Sequence, residues 1–171
     1  MEKQMNFNEF KAKVRAYPLF RSSLFGHLTK DVHTLRRQVT EWCDKGLLIQ
    51  LKRGIYTLPN EEGVVKFSRF FLANQLYSPS YISLESALSY YNMIPEAVHT
   101  VTSVSPKKTQ RFTNNYGLFH YYHIKPSYYG NFETVKDEFG NNFFIYQTTI
   151  YQCYHVNSCR ICYPSAIYIF G

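Results

Sequence analysis

The stretch that most constrains the fold runs from residue 32 to residue 58, where a helical pattern passes through a glycine into two short β-prone runs. Between Val32 and Lys45, the apolar side chains fall within about a third of a helix circumference. They are Val32, Leu35, Val39, Trp42 and Cys43. Gly46 then supplies a C-terminal stop. We therefore expect an amphipathic helix that ends where a region of extended chain begins.

The two β-prone runs are LLIQL at 47–51 and IYTL at 55–58. Lys52, Arg53 and Gly54 join them, and the glycine permits the positive φ of a tight hairpin turn. The sequence thus predicts a β-hairpin with a basic tip directly after the amphipathic helix.

Two shorter helices are predicted upstream. Phe7, Phe10, Val14 and Tyr17 recur at helical spacing, and Pro18 forces the preceding residue out of the helical region. A second helix is expected after Arg21, with Ser22 or Ser23 as its N-cap. Its apolar side would consist of Leu24, Phe25 and Leu28. Three helices followed by a hairpin predict a winged helix-turn-helix domain over residues 1–60.

Charge is concentrated in the same region. Residues 1–60 hold eleven Lys and Arg against five Asp and Glu, a net charge of +6, whereas the other 111 residues hold eight against seven. A positive field confined to one module is typical of nucleic-acid binding, because neutralising phosphates releases counterions. The alternative is a solvated basic surface that keeps the protein soluble.

The candidate DNA-contact residues lie on the free face of the third helix and at the hairpin tip. They are His33, Thr34, Arg36, Arg37, Thr40, Lys52 and Arg53. Arginine can bond bidentately to guanine or clamp phosphates, and threonine can bond a base edge or contact a thymine methyl. At the tip, Lys52 and Arg53 would contact the backbone or the minor groove and position the domain. The alternatives are a solvated helix face and a charged, soluble edge.

A second module is expected over residues 61–145, after a short acidic linker at 60–63. Helices are predicted from Val64 to Leu76 and from an N-cap at Ser83 to Tyr91, with a brief strand at 81–82 between them. Strands are predicted at 98–104, 117–124, 132–135 and 142–145. The first two, with a turn at 106–108 between them, are expected to form an aromatic hairpin, and the last two a second hairpin. The sequence thus predicts an α+β protein whose second domain is a small mixed helix and antiparallel-sheet domain.

No run of eighteen apolar residues occurs, and the N-terminus MEKQMNFNEF lacks the apolar core of a signal peptide. We therefore expect a cytoplasmic protein with no membrane partner. In that reducing compartment the four cysteines are expected to be thiols.

Five longer strings, taken in order, resemble the AbiEi-type antitoxins of bacterial type IV toxin-antitoxin systems. They are LIQLKRGIYTLP, LANQLYSPS, YISLESALSYYNMIPE, VTSVSPKKTQRF and GLFHYYHIKPSYYG. The similarity extends from about residue 8 to Ile145, and it is specific in the serial order of the strings.

This resemblance implies a winged-helix transcriptional repressor that binds double-stranded DNA at repeats in its own promoter. It also implies that the second module helps to oppose a nucleotidyltransferase-like toxin encoded beside it. In such proteins the winged helix makes the DNA contacts, which correspond here to the third helix and the hairpin tip. The residue pattern by itself predicts only the DNA-binding module.

The last segment, residues 146–171, departs from the antitoxin pattern. Relatives continue with a helix that starts with a Thr-Pro-Glu-Lys-Ala-Leu-like sequence, whereas this tail has one charged residue, Arg160, and three cysteines. We hypothesise that a frameshift or truncation replaced the native segment, which would put toxin neutralisation in doubt and leave DNA binding intact. The alternative is a metal site with Cys153, His155, Cys159 and Cys162 as ligands, although a single CxxC is fewer than structural zinc sites use.

Enzyme signatures are missing from the sequence, which contains no glycine-rich phosphate loop, HExxH or GxSxG motif. His120 and His123 are expected on opposite faces of a strand, and Asp137 and Glu138 in a solvated turn. We therefore predict no catalytic residues, no cofactor and no metal. Two alternatives to the antitoxin remain: a winged-helix regulator whose second domain binds a ligand or protein, and an enzyme such as a nuclease that uses the winged helix for targeting.

Overall fold

The computed structural model describes residues 5–60, 65–95 and 98–147. The chain divides into two compact units, Met1–Ser68 and Arg69–Gly171, which we call the N-terminal unit and the C-terminal unit. Within the described residues the fold is mixed α and β, with five α-helices and two β-sheets. Residues 61–63 of the predicted linker and 148–171 of the predicted tail lie outside the described residues.

The N-terminal unit contains three helices and a small antiparallel sheet. Its elements are α1 (Phe7–Val14), β1 (Phe20–Arg21), α2 (Phe25–Leu28), α3 (Val32–Asp44), β2 (Ile49–Lys52) and β3 (Ile55–Thr57). The strand order is β1-β3-β2, so β3 is the central strand. The helices and the hairpin lie where the sequence predicts them, whereas β1 was not predicted, since two residues are too few to show an alternating pattern.

An aromatic and aliphatic core holds this unit together. Its buried members are Phe10, Val14, Phe20, Phe25, Leu35, Val39, Trp42, Leu48 and Leu58. Phe10 is fully buried, and its ring centroid lies 5.0 Å from that of Trp42 and 5.6 Å from that of Phe20. Edge-to-face and tilted aromatic pairs of this kind add to the stabilisation that burial provides. The core therefore links α1, α3 and the sheet.

Two predictions in this unit are wrong. Tyr17 lies beyond the end of α1 and is 51% exposed, because the helix stops three residues before it. Neither Ser22 nor Ser23 caps the second helix: Ser22–Leu24 forms a 3-10 turn that leads into α2, and no side chain caps either element. The backbone N–H of Ser22 instead donates to the carbonyl of Gly54, 2.9 Å away.

The C-terminal unit contains two helices and a six-stranded sheet. Its elements are α4 (Arg69–Leu76), β4 (Tyr81–Ile82), α5 (Leu84–Tyr90), β5 (Thr100–Ser105), β6 (Gln110–Asn114), β7 (Gly117–His123), β8 (Phe132–Lys136) and β9 (Asn142–Tyr146). The strand order is β6-β7-β5-β4-β9-β8. Phe119, Tyr121, Phe143 and Ile145 are buried in its core, and the Tyr121 hydroxyl donates to the Ala73 carbonyl of α4.

The expectation of an antiparallel sheet is wrong for this unit. Strand β5 pairs with β7 in parallel, and β4 pairs with β9 in parallel, so the sheet is mixed. The reason is an unpredicted strand, β6, which forms the antiparallel hairpin with β7 and leaves β5 to pair with the far side of β7. The predicted hairpin of β8 and β9 is confirmed, with Phe132 opposite Tyr146. Ser83 precedes α5 as predicted, but its side chain makes no capping bond.

Candidate nucleic-acid interface

Helix α3 is fixed at both ends by local hydrogen bonds. At its start, Asp31 accepts a bond from the backbone N–H of Thr34 at 3.0 Å. Bonds from the Thr34 side chain and then from its backbone hold the pKa of Asp31 below the ordinary value of 3.8. At its end, Gly46 takes a φ of +71°, and the N–H of Leu47 donates to the carbonyl of Trp42. A side chain other than glycine would be strained at that φ.

The buried side of α3 matches the predicted stripe. Leu35, Val39 and Trp42 are buried, and Val32 and Cys43 are partly buried against the same core. Gln38 is also buried, which the apolar pattern could not predict. Its side-chain amide donates to the carbonyl of Met5 at 2.8 Å, and this bond satisfies a polar group that burial would otherwise penalise. The helix is therefore held in place without using its outer face.

The outer face of α3 carries most of the predicted contact residues. His33, Arg36, Arg37 and Thr40 are exposed, whereas Thr34 is half-buried and occupied with Asp31. The Thr40 hydroxyl donates to the carbonyl of Arg36 at 3.1 Å. Within the described part of the chain, the guanidinium groups of Arg36 and Arg37 form neither ion pairs nor hydrogen bonds. They are available to an external partner.

Charge changes sign along this face. The basic pair Arg36 and Arg37 belongs to the first half of α3, and the exposed acids Glu41 and Asp44 belong to its second half. Phosphate groups would be attracted to the first half and repelled by the second. Any polyanion that binds α3 is therefore expected to approach its N-terminal turns.

The hairpin of β2 and β3 has a two-residue turn at Arg53 and Gly54. Gly54 has a φ of +82°, and a Cβ placed on it would lie 3.2 Å from the Ser22 hydroxyl. The bond from the Ser22 N–H to the Gly54 carbonyl fixes the turn to the end of β1. Arg53 is exposed and Lys52 is half-buried. The tip is thus short, fixed and basic.

Tyr56 lies on β3, the central strand of the small sheet, and no sequence pattern singles it out. It pairs with Phe20 on one side and Gln50 on the other, and its ring stacks on Phe20 with the centroids 6.0 Å apart. Burial is the main cause that raises the pKa of Tyr56, while a hydrogen bond with the backbone of Gly54 and the charge of Arg36 lower it. Tyr56 is thus held by its strand neighbours and by the aromatic core of the unit.

The histidines and acids considered as catalytic candidates lie in strand β7 and in the turn between β8 and β9. His120 and His123 lie three positions apart on β7, so their side chains point to opposite faces. Burial and the neighbouring Arg111 lower the pKa of His120. Asp137 accepts bonds from the backbone N–H groups of Phe139 and Asn141, which stabilises the turn between β8 and β9.

No group of three metal-binding side chains occurs within residues 5–60, 65–95 and 98–147. The alternative ligands Cys153, His155, Cys159 and Cys162 lie outside those residues. In the same ranges, every helix is too short or too polar to cross a lipid bilayer.

No protein-family description matches the chain, and no curated protein matches it.

Proposed function

We propose that the N-terminal unit is a winged helix-turn-helix domain and that the protein is a DNA-binding transcriptional repressor. The order of elements supports this, because α1, β1, α2 and α3 are followed by a β-hairpin whose second strand pairs with β1. In helix-turn-helix proteins the second helix of the motif enters the major groove. That helix is α3 here, and the tip at Lys52 and Arg53 is the wing.

The observation that carries the proposal is the free basic surface of α3. Arg36 and Arg37 are exposed and make no ion pair within the described residues, while the helix is secured by its cap and its buried side. Arginine in this setting can bond bidentately to guanine, at about 1–3 kcal/mol of discrimination per good pair. His33 and Thr40 would complete the contacts of the helix, whereas Thr34 is engaged with Asp31. The wing residues would bind phosphates and set the register.

We further propose that the protein is the antitoxin of a type IV toxin-antitoxin system and that it acts in the cytoplasm. In this role it would bind repeats in its own promoter, repress its operon and oppose a nucleotidyltransferase-like toxin. The resemblance of the five strings between residues 48 and 130 supports this proposal. The proposal assigns the protein no enzymatic activity and no cofactor.

A regulator whose C-terminal unit binds another protein is the second candidate. Phe132 and Phe144 favour it, because they are 38% and 42% exposed with ring centroids 5.6 Å apart on the β8–β9 hairpin. Exposed aromatic pairs are common at protein interfaces. Co-expression with the nucleotidyltransferase encoded by a neighbouring gene separates the two candidates: rescue of growth supports the antitoxin, and continued toxicity supports the regulator.

A binding assay with a labelled promoter fragment tests the DNA-binding proposal. The full chain is compared with Arg36→Ala/Arg37→Ala at several salt concentrations, with an unrelated duplex of equal length as the second ligand. Loss of base contacts removes the preference for the promoter, and loss of phosphate contacts flattens the salt dependence. A double variant that binds both duplexes like wild type would show that α3 is not the recognition helix.

A further inference from the structure

The outer face of strands β6 and β7 combines an arginine with two rings. Arg111 on β6 lies directly opposite His120 on β7, and Tyr122 follows two positions along β7. Because side chains alternate along a strand and directly paired residues share a side, these three lie on one face of the sheet. The rings of His120 and Tyr122 are in edge contact, with their centroids 6.0 Å apart. This face thus places a cation beside a pair of rings.

The opposite face of the same strands holds the core of the C-terminal unit. Phe119 and Tyr121 alternate with the outer residues and are buried, and the Tyr121 hydroxyl bonds to the backbone of α4. On the outer face Leu118 is 45% exposed, Arg111 is exposed and His120 is half-buried. The outer groups are therefore accessible to a partner, while the strands that carry them are fixed by the core behind them.

The loop before β6 supplies a second exposed cation. Lys107 is engaged, since its ammonium lies 5.5 Å from the centre of the Tyr77 ring. Lys108 is exposed, and its carbonyl accepts a bond from the Tyr77 hydroxyl at 2.9 Å. The Nδ1 atom of His123 lies 3.0 Å from the carbonyl oxygen of Lys107. Because these contacts fix the loop backbone, Lys108 is held three residues before Arg111 without using its own side chain.

No carboxylate neutralises this surface from within the surrounding sequence. Residues 98–132 contain no Asp or Glu. Within the described ranges of the chain, the side chains of Lys108 and Arg111 form neither ion pairs nor hydrogen bonds. Burial, and after it the charge of Arg111, holds the pKa of His120 below its ordinary value of 6.5, so that its ring is uncharged at pH 7. The surface therefore offers two free cations together with uncharged rings.

We propose that the outer face of the β6–β7 hairpin binds single-stranded nucleic acid. His120 and Tyr122 stack on bases, and Lys108 and Arg111 bind the phosphates that join them. Single-strand-binding proteins combine these two features, a cationic track for the backbone and rings that accept any base. In a duplex the bases are already stacked on one another, so the rings add nothing to its binding. The proposal involves no residue of the N-terminal unit and stands apart from the function proposed for α3.

Titrations with labelled single strands test the charged part of the proposal. The ligands are oligouridine and oligothymidylate of about twelve nucleotides, a length within the range that single-strand-binding folds cover. For Lys108→Gln/Arg111→Gln in the full chain, we expect weaker binding of both strands, and a slope of log binding constant against log salt concentration lower by about 1.4, at about 0.7 per lost phosphate contact. Arg36→Gln/Arg37→Gln is the matched control with two charges removed from α3, and it is expected to weaken the single strands less.

Two substitutions of His120 test the stacking. His120→Leu removes the ring and is expected to weaken both single strands about ten-fold, as the loss of one stacked base predicts, while a duplex of equal length binds as before. His120→Phe keeps a ring and is expected to bind the single strands at least as well as wild type. Urea unfolding of both variants establishes that the sheet is intact.

Three results would overturn the proposal. A wild-type chain that binds neither single strand contradicts it outright. So does a Lys108→Gln/Arg111→Gln chain that keeps wild-type affinity for them, or one that loses no more than the α3 control. Equal binding by His120→Leu and His120→Phe would show that no base stacks on this ring. Each result leaves the proposed recognition of duplex DNA by α3 untouched, because that function is measured with a promoter duplex.

Discussion

The two units achieve stability in different ways, and the difference concerns how far apart in sequence the contacting residues lie. The N-terminal unit consists of consecutive helices, one local hairpin and a two-residue strand, β1, that pairs with the hairpin. In the C-terminal unit, β4 pairs with β9 across 62 residues, from Ile82 to Ile145, and the sheet is mixed. Local patterns therefore determine most of the first unit, whereas long-range pairing determines the second.

The units also distribute charge differently. The N-terminal sixty residues carry a net +6, and the rest of the chain is nearly balanced. The balance conceals a separation: residues 98–132 include Lys107, Lys108 and Arg111 around β6 and contain no acid, while Asp137 and Glu138 lie beside the opposite edge strand, β8. Five strand spacings of about 4.8 Å separate these edges by about 24 Å, which exceeds a Debye length of about 8 Å. Net charge alone is thus a poor guide to where a surface is basic.

The largest expected effect comes from the separate cores. Phe10→Ala removes a fully buried ring from the N-terminal unit and is expected to cost about 3–5 kcal/mol of unfolding free energy. Trp42, the single tryptophan, lies against this ring, so its fluorescence reports on that unit. Phe119→Ala is the matched change in the C-terminal unit. It is expected to shift the unfolding transition followed by circular dichroism more than the transition followed by Trp42 fluorescence. If Phe10→Ala and Phe119→Ala shift the urea midpoint of the Trp42 fluorescence transition equally, the two cores unfold as one.

A smaller effect is expected at the hairpin tip. Arg53→Gln removes one exposed positive charge. We expect it to weaken binding of the promoter and of an unrelated duplex by the same factor, and to lower the slope of log binding constant against log salt concentration by about 0.9. Lys125→Gln, which removes an exposed charge from the C-terminal unit, is the control and should leave the slope unchanged. Titrations at four salt concentrations give the dissociation constant of each duplex. Weaker binding of the promoter alone would show that Arg53 recognises bases.

The smallest effect concerns the cap of α3 and depends on pH. The pKa of Asp31 is lowered in the folded protein, so its ionised form stabilises the fold at pH values above the unfolded pKa, and this contribution is lost as pH falls through the folded pKa. Asp31→Ala is therefore expected to lower the melting temperature at pH 7 and to have a progressively smaller effect as the pH falls below the ordinary pKa of 3.8.

Asp44→Ala serves as the control for the cap. Asp44 is an exposed acid at the other end of the same helix, where the helix dipole disfavours a negative charge. Its removal is expected to leave the melting temperature unchanged or slightly higher. A destabilisation by Asp31→Ala that persists unchanged at low pH would show that its carboxylate charge does not support the cap.

The comparison of the units also explains which structural predictions succeed. In α3 the periodicity of Leu35, Val39 and Trp42 predicts the buried side, because a helix contacts its core at a fixed spacing. The Gly54 turn is equally local. By contrast, β6 reads QRFTN, which is too polar to stand out as a strand, and its omission led to the wrong pairing of β5 and β7.

In the candidate site, too, local patterns predict the structure and longer-range packing does not follow from the sequence. The exposure of Arg36, Arg37 and Arg53 agrees with what the helical and hairpin patterns predict, since each pattern separates an inner from an outer side. The burial of Gln38 could not be predicted, because it depends on the bond that its side-chain amide donates to the carbonyl of Met5. The hydrogen bonding of Thr34 to Asp31 could not be predicted either, and it removes one predicted contact residue from the free surface.

The most direct test of the central claim compares equal losses of charge from the two units. Arg36→Gln/Arg37→Gln and Lys108→Gln/Arg111→Gln each remove two exposed positive charges, and each protein is titrated with the promoter and with an unrelated duplex. We expect the first pair to abolish the preference for the promoter and the second pair to preserve it, whatever its effect on overall affinity. Preserved preference in the first variant, or equal loss in both, would contradict the assignment of DNA recognition to α3.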